Sequence, residues 1–472
     1  MEKSLKNKKL LALTKGIAGF AGILLVLFVI FSCNNILITS GGSLIISTPG
    51  ARAASGSISY TIVVEGSQGF TQRKNLTSGS SVQFDNLAPD TYSISVEGKN
   101  EDDAVVLFGT DSATVEAGKK VSADVKLKKG ASDFASLESA VAAGGTVYIF
   151  ESIDVESTLS VPSGITVTIL PAYQDVTLKN IGSGSLFDVN SGELTIGGGE
   201  YTITLDGNTL SHHAIYVQKT GKATLSTNAV IMNCGTASVK LQNTNYNSTY
   251  ALFFLEGGTI KDNNGSGVEV SDFGTFTMNS GYIKNNNTSN GGGVSLSGSS
   301  STLKMYGGSI TGNQVTGNGA GVYVLNGSLI MSGGEITDNE ASGSGGGVYS
   351  QKSVAMTGGY IGGNVAVSTG NGVYSGNGSS FEMGKSAVID KNNDVYLMRG
   401  ITISVTSELT GDSSVATITP NEYKADTAIL TNGMGDFFAF TTETGKFAVT
   451  PKADGTQWTI NTSGNLQQAG AQ

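Results

Sequence analysis

The sequence predicts an all-β protein whose main part is a right-handed, single-stranded parallel β-helix. The first observation is a repeat between residues 252 and 397, which reads LEGGTIKDN, MNSGYIKNN, MYGGSITGN, MSGGEITDN and MTGGYIGGN. The repeat isoleucines lie 23 to 28 residues apart, at Ile260, Ile283, Ile310, Ile336, Ile361 and Ile389. Repeats of about 20–30 residues indicate a solenoid, in which each unit covers the apolar surface of its neighbour.

The second observation is the local period within each repeat. Apolar residues alternate with polar ones, as at Val322 and Val324 or at Leu329 and Met331. This period of two predicts short strands with one buried face, and the stretch contains no helical i, i+3, i+4 pattern. Three short strands per repeat, stacked in parallel, form a β-helix. We expect right-handed coils because parallel crossover connections are overwhelmingly right-handed.

The third observation is an asparagine three residues after each repeat isoleucine, an offset that Val230 extends to an earlier turn. Asparagine tolerates tight bends and bonds nearby backbone, and stacked amides can bond one another. The pattern predicts an inward ladder of Asn233, Asn263, Asn286, Asn313, Asn339, Asn364 and Asn392. The alternative is that these asparagines are ordinary turn residues.

Composition limits the class of partner. The 472 residues are enough for two or three domains, and 66 glycines against 6 prolines fit tight turns in a regular solenoid. The net charge is −10 and charged residues make up 14% of the chain. We therefore expect no nucleic-acid partner, because phosphate binding needs clustered positive charge.

Residues 1–33 are predicted to be a targeting segment. A lysine-rich start is followed by the apolar run Gly16 to Ser32 and then by Cys33. This order resembles a bacterial lipoprotein signal, which implies lipidation of Cys33 and a membrane partner through the lipid. The alternatives are ordinary signal cleavage after Ala51-Arg52-Ala53 and a retained membrane anchor. All three place the rest of the chain outside the cytoplasm, in the cell envelope, and the lipoprotein interpretation favours the outer membrane or cell surface.

Two segments precede the solenoid. Residues 34–54 are expected to be a tether, and residues 55–130 contain alternating strands typical of a small β-sandwich. The stretch from Phe84 to Tyr92 resembles the F-x-x-L-x-P-G-x-Y corner of carboxypeptidase-regulatory-like and prealbumin-like modules, with Asp90 in place of the glycine. The resemblance implies a spacer module.

The solenoid is predicted over residues 131–423, starting with a helix at 132–145. Phe134, Leu137 and Val141 lie on one face of this helix, which covers the open end of the stack. Residues 424–472, including the segment FFAFTTE, are expected to form a C-terminal β cap. The helix, the strands and the MSGGEITDN units resemble pectin-lyase-like β-helix proteins of bacterial surfaces, and the repeats are similar to the GG-x-I-x-x-N repeats of polymorphic outer-membrane proteins.

Enzymatic activity is not the favoured interpretation, although the resemblance keeps a polysaccharide lyase or hydrolase open. The N-T-D, D-D, G-H-G and R-I-K motifs of polygalacturonases are absent from the solenoid, and Asp154, Asp175 and Asp188 are scattered. The only histidines, His212 and His213, lack further metal ligands nearby in the sequence. We expect no metal, no cofactor and no catalytic residue.

A binding surface has more support in the sequence. Each GVYV-type strand turns its valine inward and its next residue outward, and four successive outward positions hold Tyr323, Tyr349, Tyr374 and Tyr396. These tyrosines are candidate binding residues for glycans or host matrix proteins. The chain would then be an adhesin-like, monomeric surface protein. Two alternatives remain: the tyrosines stabilise the sheet by packing on each other, and the solenoid is a passive rod.

Overall fold

The computed structural model describes residues 41–47, 58–76, 81–243, 250–411 and 414–470. Lipidation of Cys33, the signal segment and most of the expected tether lie outside these residues. Within them no helix combines the length and apolarity needed to cross a membrane. The prediction of an all-β chain dominated by a parallel solenoid is confirmed.

The N-terminal strands form a small β-sandwich. The eight strands are β1 Gly42–Ser47, β2 Ser59–Gly66, β3 Thr71–Leu76, β4 Ser81–Leu87, β5 Asp90–Lys99, β6 Val105–Val115, β7 Lys120–Asp124 and β8 Lys128–Ala131. One sheet has the order β4-β1-β7, and the other pairs β3, β2, β5, β6 and β8 in that order. Their inner faces share one apolar core. The strand β8 also pairs with the first solenoid strand, so the sandwich sheet continues into the solenoid.

The expectation that residues 34–54 form a tether is wrong for β1. This strand lies in the middle of its sheet, antiparallel to β4 and parallel to β7. Its side chains alternate, and Leu44 and Ile46 are fully buried in the sandwich core. The segment GSLIIS carries the period of two that marks a half-buried strand, so the sandwich begins well before residue 55.

The corner that resembles a prealbumin-like turn is closed by side-chain hydrogen bonds. Tyr92 donates from Oη to the carbonyl of Ala88 at 3.0 Å. Asp90 Oδ2 accepts from the backbone N–H and the hydroxyl of Ser67 at 2.7 and 2.9 Å, which lowers the pKa of this carboxyl. Asp90 therefore ties a second loop to the corner, a role that glycine cannot fill.

Within the described residues the solenoid has 34 short strands. They are β9 Gly145–Ile149, β10 Ile153–Val155, β11 Leu159–Val161, β12 Thr166–Pro171, β13 Val176–Asn180, β14 Phe187–Asn190, β15 Glu193–Ile196, β16 Ile203–Asp206, β17 Ile215–Gln218, β18 Lys222–Ser226, β19 Ala229–Met232, β20 Val239–Gln242, β21 Ala251–Lys261, β22 Val268–Val270, β23 Gly274–Lys284, β24 Asn287–Thr288, β25 Val294–Leu296, β26 Thr302–Met305, β27 Ser309–Thr311, β28 Gln314–Val315, β29 Val322–Val324, β30 Ser328–Thr337, β31 Glu340–Ala341, β32 Val348–Ser350, β33 Ser353–Gly362, β34 Val365–Ala366, β35 Val373–Ser375, β36 Ser380–Lys385, β37 Val388–Ile389, β38 Asp394–Leu397, β39 Ile403–Leu409, β40 Ala416–Pro420, β41 Leu430–Asn432 and β42 Phe447–Val449.

These strands stack in about eleven turns with three main faces. Sheet I contains β11, β14, β17, β20, β22, β25, β29, β32, β35, β38, β40 and β42. Sheet II contains β9, β12, β15, β18, β21, β23, β26, β30, β33, β36, β39 and β41. Sheet III contains β10, β13, β16, β19, β27 and β37 with the second halves of β21, β23, β30 and β33. One continuous apolar core fills the coil from end to end.

A helix closes the N-terminal end of the coil, as the sequence predicts. Helix α1, Phe134–Ala143, is capped at its N-terminus by Asp133, whose carboxylate accepts from the N–H of Ser136 at 2.8 Å. It ends at Gly144, which has φ +76°. Leu137 and Val141 are buried against the first strands.

The C-terminal end differs from the expected β cap. The segment FFAFTTE forms helix α2, Phe437–Glu443, followed by a 3-10 turn at Thr444–Lys446. Solenoid pairing also continues past residue 423, because β41 stacks on β39 and β42 on β40. The last hairpin, β43 Trp458–Ile460 and β44 Leu466–Gln468, is antiparallel.

Candidate functional site

The repeated asparagines form a buried ladder along one corner of the coil. Its five central members are at most 2% exposed: Asn263, Asn286, Asn313, Asn339 and Asn364. Each donates from Nδ2 to Oδ1 of the asparagine one turn further on, at 2.7–3.1 Å. The backbone N–H of each donates to the same Oδ1 at 2.8–3.2 Å. Every turn thus satisfies its buried corner N–H with a side chain of the next turn.

The second amide proton is also bonded in the middle of the ladder. Nδ2 of Asn339 donates to the carbonyl of Ile310 at 3.0 Å, and Asn313 and Asn364 make the same bond to the isoleucine of the preceding turn. All four hydrogen-bonding positions of these amides are therefore used inside the protein. The ladder is a structural element with no free group for a ligand.

Both ends of the ladder differ from the sequence expectation. Asn392 is exposed, and Asn393 occupies the ladder position and is 3% exposed. The reason is one extra residue: Ile389 pairs with Ile361, but its ladder residue follows four positions later instead of three.

At the other end, Asn233 also lies outside the ladder. The strand register pairs Ile231, not Val230, with Ile260, so Cys234 takes the asparagine's place. Its backbone N–H donates to Oδ1 of Asn263 at 2.8 Å. Asn233 adopts φ +59° and donates to Asp206 at 3.1 Å. The Cys234 thiol is 1% exposed, and burial raises its pKa to about 12, so it is held as an unreactive thiol.

The four candidate tyrosines lie one above another in the middle of sheet I. Strand register pairs Tyr323 with Tyr349, Tyr349 with Tyr374, and Tyr374 with Tyr396. The ring centroids are 5.3, 4.8 and 5.5 Å apart, with interplanar angles of 17°, 1° and 6°. We call this set the tyrosine column. Its outward position is as expected, and its rings stack on one another.

This stacking determines which parts of the tyrosines meet solvent. Both faces of Tyr349 and Tyr374 are turned toward neighbouring rings, and all four side chains are half-buried. Burial, with a smaller effect of the neighbouring phenols, raises the pKa of Tyr323 and Tyr374. A sugar ring cannot stack on either face of Tyr349 or Tyr374, so these two residues offer ring edges and hydroxyl groups instead.

The two ends of the column have no aromatic cover. In the strand register Tyr323 is preceded by Ser295, and Tyr396 is followed by Thr419. The Tyr396 end borders a cleft of about 510 Å³, whose polar lining includes Asn371, Asp394 and Thr450. One aromatic face and several hydrogen-bonding groups therefore meet at this end of the column.

The residues considered for catalysis do not form a site. Asp154 lies on sheet III and Asp188 on sheet I, and Asp175 accepts from the N–H of Thr202 at 2.7 Å. His213 Nδ1 lies 2.6 Å from the carbonyl of Ala237, and burial lowers the pKa of its ring. No cluster of three or more metal-binding side chains occurs among the described residues.

No family model, no curated protein and no solved structure matches the chain. The chain is a β-sandwich joined to a parallel β-solenoid that carries a column of stacked tyrosines.

Proposed function

We propose that the protein is an adhesin-like surface protein whose tyrosine column binds extended glycans or matrix polymers. The observation that carries the proposal is the column itself, four phenols in register on consecutive strands. Their spacing follows the strand separation of about 4.8 Å, so equivalent groups repeat along a straight line. A repeating polymer lying along that line meets the same contact several times, which raises affinity without any single strong contact.

The contacts available to such a polymer are mainly polar. The interior rings present hydroxyl groups and edges, and Tyr349 Oη already accepts from Nε2 of Gln351 at 2.8 Å. Tyr396 adds an aromatic face beside the polar cleft at the end of the column. The expected mode is therefore hydrogen bonding along the column and ring stacking at its end.

Anchoring in the cell envelope is part of the proposal. Lysines, an apolar run and Cys33 follow one another at the start of the chain, in the order of a lipoprotein signal. A lipid on Cys33 would place the sandwich next to the membrane and the solenoid beyond it. Labelling with a fatty-acid analogue should tag the wild type and fail in Cys33→Ala, whereas labelling of that variant would refute lipidation at Cys33.

The binding test uses the full chain in detergent on an array of glycans and matrix proteins. The variant that changes Tyr323, Tyr349 and Tyr374 to Phe keeps the stacked rings and removes three hydroxyl groups. We expect it to lose binding while its circular dichroism and melting temperature stay close to those of the wild type. Loss of binding in Tyr396→Ala alone would move the main contact to the end of the column.

A second candidate function is a passive surface rod. The observation that favours it is the face-to-face packing, which gives the tyrosines a structural reason to lie in register. If the solenoid is a passive rod, neither the wild type nor the triple Phe variant should bind anything on the array. Release of unsaturated sugars from an acidic polysaccharide would contradict both candidates and indicate a lyase.

A further inference from the structure

A second set of tyrosines lies on another corner of the solenoid, with exposed rings. Tyr282 and Tyr306 are 52% and 54% exposed, whereas the column tyrosines are half-buried. Within the described ranges, neither ring stacks on another aromatic ring; the ammonium of Lys284 lies 5.7 Å from the centroid of Tyr282. The fold therefore does not use these aromatic surfaces for packing.

The corner between them is made of glycine pairs. Tyr306 comes directly before Gly307 and Gly308, where sheet II turns into sheet III, and Gly308 has φ +80°. A Cβ added at Gly333 would lie 2.3 Å from the carbonyl oxygen of Tyr306. Side chains are thus excluded from the corner, and its floor is bare backbone.

The bare floor forms a shallow groove between two rows of side chains. The groove measures about 620 Å³ and is lined by Gly307, Gly308, Gly333, Gly334 and Gly359 together with Ser332, Glu335, Tyr360, Ser386 and Val388. Tyr306 adjoins it next to Gly307, and Tyr282 lies one turn before its edge. On the sheet III side, the strand register gives the order Tyr282, Ser309, Glu335, Tyr360 over four turns. The two outer tyrosines of this row are three strand spacings apart, about 14 Å.

The far end of the groove is held in place by Tyr360. Its Oη donates to Oδ2 of Asp390 at 3.3 Å. Its ring lies against the backbone of Gly362, where a Cβ would come within 2.5 Å of ring atoms. Gly362 therefore makes room for a fixed aromatic side chain at one end of the groove, and Tyr306 stands where the groove begins.

The charge of the groove selects against anionic ligands. Glu335 is exposed in the wall, and among the described residues it forms no ion pair. A second carboxylate, Glu256, lies one turn before Tyr282 and accepts from Nδ2 of Asn279 at 2.6 Å. The whole chain carries a net charge of −10. An acidic polymer would be repelled by Glu335 and by the net charge of the chain, and the ammonium of Lys284 beside Tyr282 offsets this at one end of the groove.

We propose that this corner, the tyrosine–glycine groove, binds a neutral, unbranched polysaccharide. Flat sugar rings place C–H groups on aromatic faces such as those of Tyr282 and Tyr306. The glycine floor lets the chain lie close to the backbone, and Glu335, Ser332 and Ser386 supply hydrogen-bond partners for sugar hydroxyls. Sugars with equatorial hydroxyls fit best, because both faces of their rings are apolar.

The test measures binding of cellohexaose and xylohexaose to the full-length protein in detergent by calorimetry. Tyr282→Ala combined with Tyr306→Ala should weaken binding at least about tenfold, because two stacking contacts are lost. The melting temperature should not change, since both side chains are exposed and unstacked. The matched control is Tyr282→Phe combined with Tyr306→Phe, which keeps both exposed rings and should bind both oligosaccharides as the wild type does.

Other results would refute the proposal that the tyrosine–glycine groove binds a neutral polysaccharide. Wild-type protein that binds neither oligosaccharide, or a double variant that binds as tightly as the wild type, would exclude it. Tighter binding of polygalacturonate or of a proline-rich peptide would assign another ligand. The proposed function of the tyrosine column can be refuted independently of the groove. The triple Phe variant tests binding by the column, whereas the double Ala variant tests binding by the groove on another face.

Discussion

Asn364 donates to Oδ1 of Asn393 from both its backbone N–H, at 2.8 Å, and its side-chain Nδ2, at 3.1 Å. The same two hydrogen bonds link each earlier pair in the ladder, back to Asn263 and Asn286. A buried corner leaves one backbone N–H per turn without a strand partner, and an unpaired buried donor is costly. The ladder removes that cost once per turn.

Replacing Asn339 with Leu should destabilise the solenoid. The substitution removes the acceptor for the backbone N–H of Asn313 and for one of its Nδ2 protons. It also removes the amide donor to the carbonyl of Ile310 and to Oδ1 of Asn364, which keeps only the backbone N–H of residue 339. Each unsatisfied group costs about 1–3 kcal/mol, so we expect a clear fall in the melting temperature measured by circular dichroism.

Asn392→Leu is the matched control for that experiment. Asn392 is exposed and belongs to the same sequence pattern, but it lies outside the ladder. Its substitution should change stability by less than about 0.5 kcal/mol. Equal effects of the two substitutions would contradict the ladder as the source of the loss.

The two misplaced ladder residues show what repeat counting can and cannot do. The offset of three residues holds from Ile260 and Asn263 to Ile361 and Asn364, although these turns differ in length. It fails at Asn392 because one extra residue separates Ile389 from the ladder position, and the Asn233 assignment fails because Ile231, not Val230, sets the register. Pairing Ile231 with Ile260 in the sequence would have identified Cys234 as the ladder residue.

The Cys234 thiol should resist modification in the folded protein. It is 1% exposed, and burial raises its pKa to about 12. In a Cys33→Ser background, where Cys234 is the only thiol, a thiol reagent at pH 8 should react only after denaturation. Rapid reaction of the native protein would contradict this burial.

The same pKa shift has a consequence for stability. The folded state holds the thiol proton more tightly than the unfolded state, whose pKa lies near 9.0. The contribution of Cys234 is therefore fully present below about pH 9 and is lost as pH rises toward 12. Cys234→Ala should show a smaller loss of stability than the wild type over this alkaline range.

A buried carboxylate should stabilise the C-terminal end. Glu443 is 3% exposed, and its Oε2 accepts from the N–H of Leu409 at 2.9 Å and lies 3.2 Å from Nζ of Lys446. Glu443→Leu leaves the buried N–H of Leu409 without its acceptor, which should cost about 1–3 kcal/mol. It also removes the carboxylate beside the Lys446 ammonium, which keeps its hydrogen bond to the carbonyl of Leu409. Glu443→Gln retains an acceptor for Leu409 and should lose less; urea unfolding of both variants separates the two effects.

The helix that contains Glu443 could not be inferred from the apolar pattern of FFAFTTE, which suits a short strand equally well. In the structure Phe440 and Glu443, three residues apart, are both buried, which is the spacing of a helix face. The partner of Glu443 is the end of β39, a contact distant in sequence. Local pattern is thus overridden by tertiary contacts at this end.

The candidate sites were predictable to different degrees. The outward row of Tyr323 to Tyr396 follows from strand alternation, and its stacking follows from a strand separation that matches the distance between stacked rings. The exposed rings of Tyr282 and Tyr306 were missed, although Tyr306 precedes a glycine pair and Tyr282 follows Gly281 in the repeat. Their exposure depends on the side chains that the glycine corner excludes, which the sequence does not show.

The tyrosine column should contribute to stability in proportion to the number of ring contacts. Tyr349 stacks on two rings and Tyr396 on one. Since each aromatic pair contributes about 0.5–1.5 kcal/mol, Tyr349→Ser should lose about 1–3 kcal/mol and Tyr396→Ser about half as much. Tyr349→Phe keeps both contacts and should stay close to the wild type.

Tyr282→Ser provides the control for this series, because its ring is 52% exposed. It should change stability by less than about 0.5 kcal/mol. Urea midpoints of the four variants give the comparison. If Tyr349→Ser and Tyr282→Ser were equally stable, the stacked rings would contribute nothing to the fold, and the register of the four phenols would need ligand binding as its explanation.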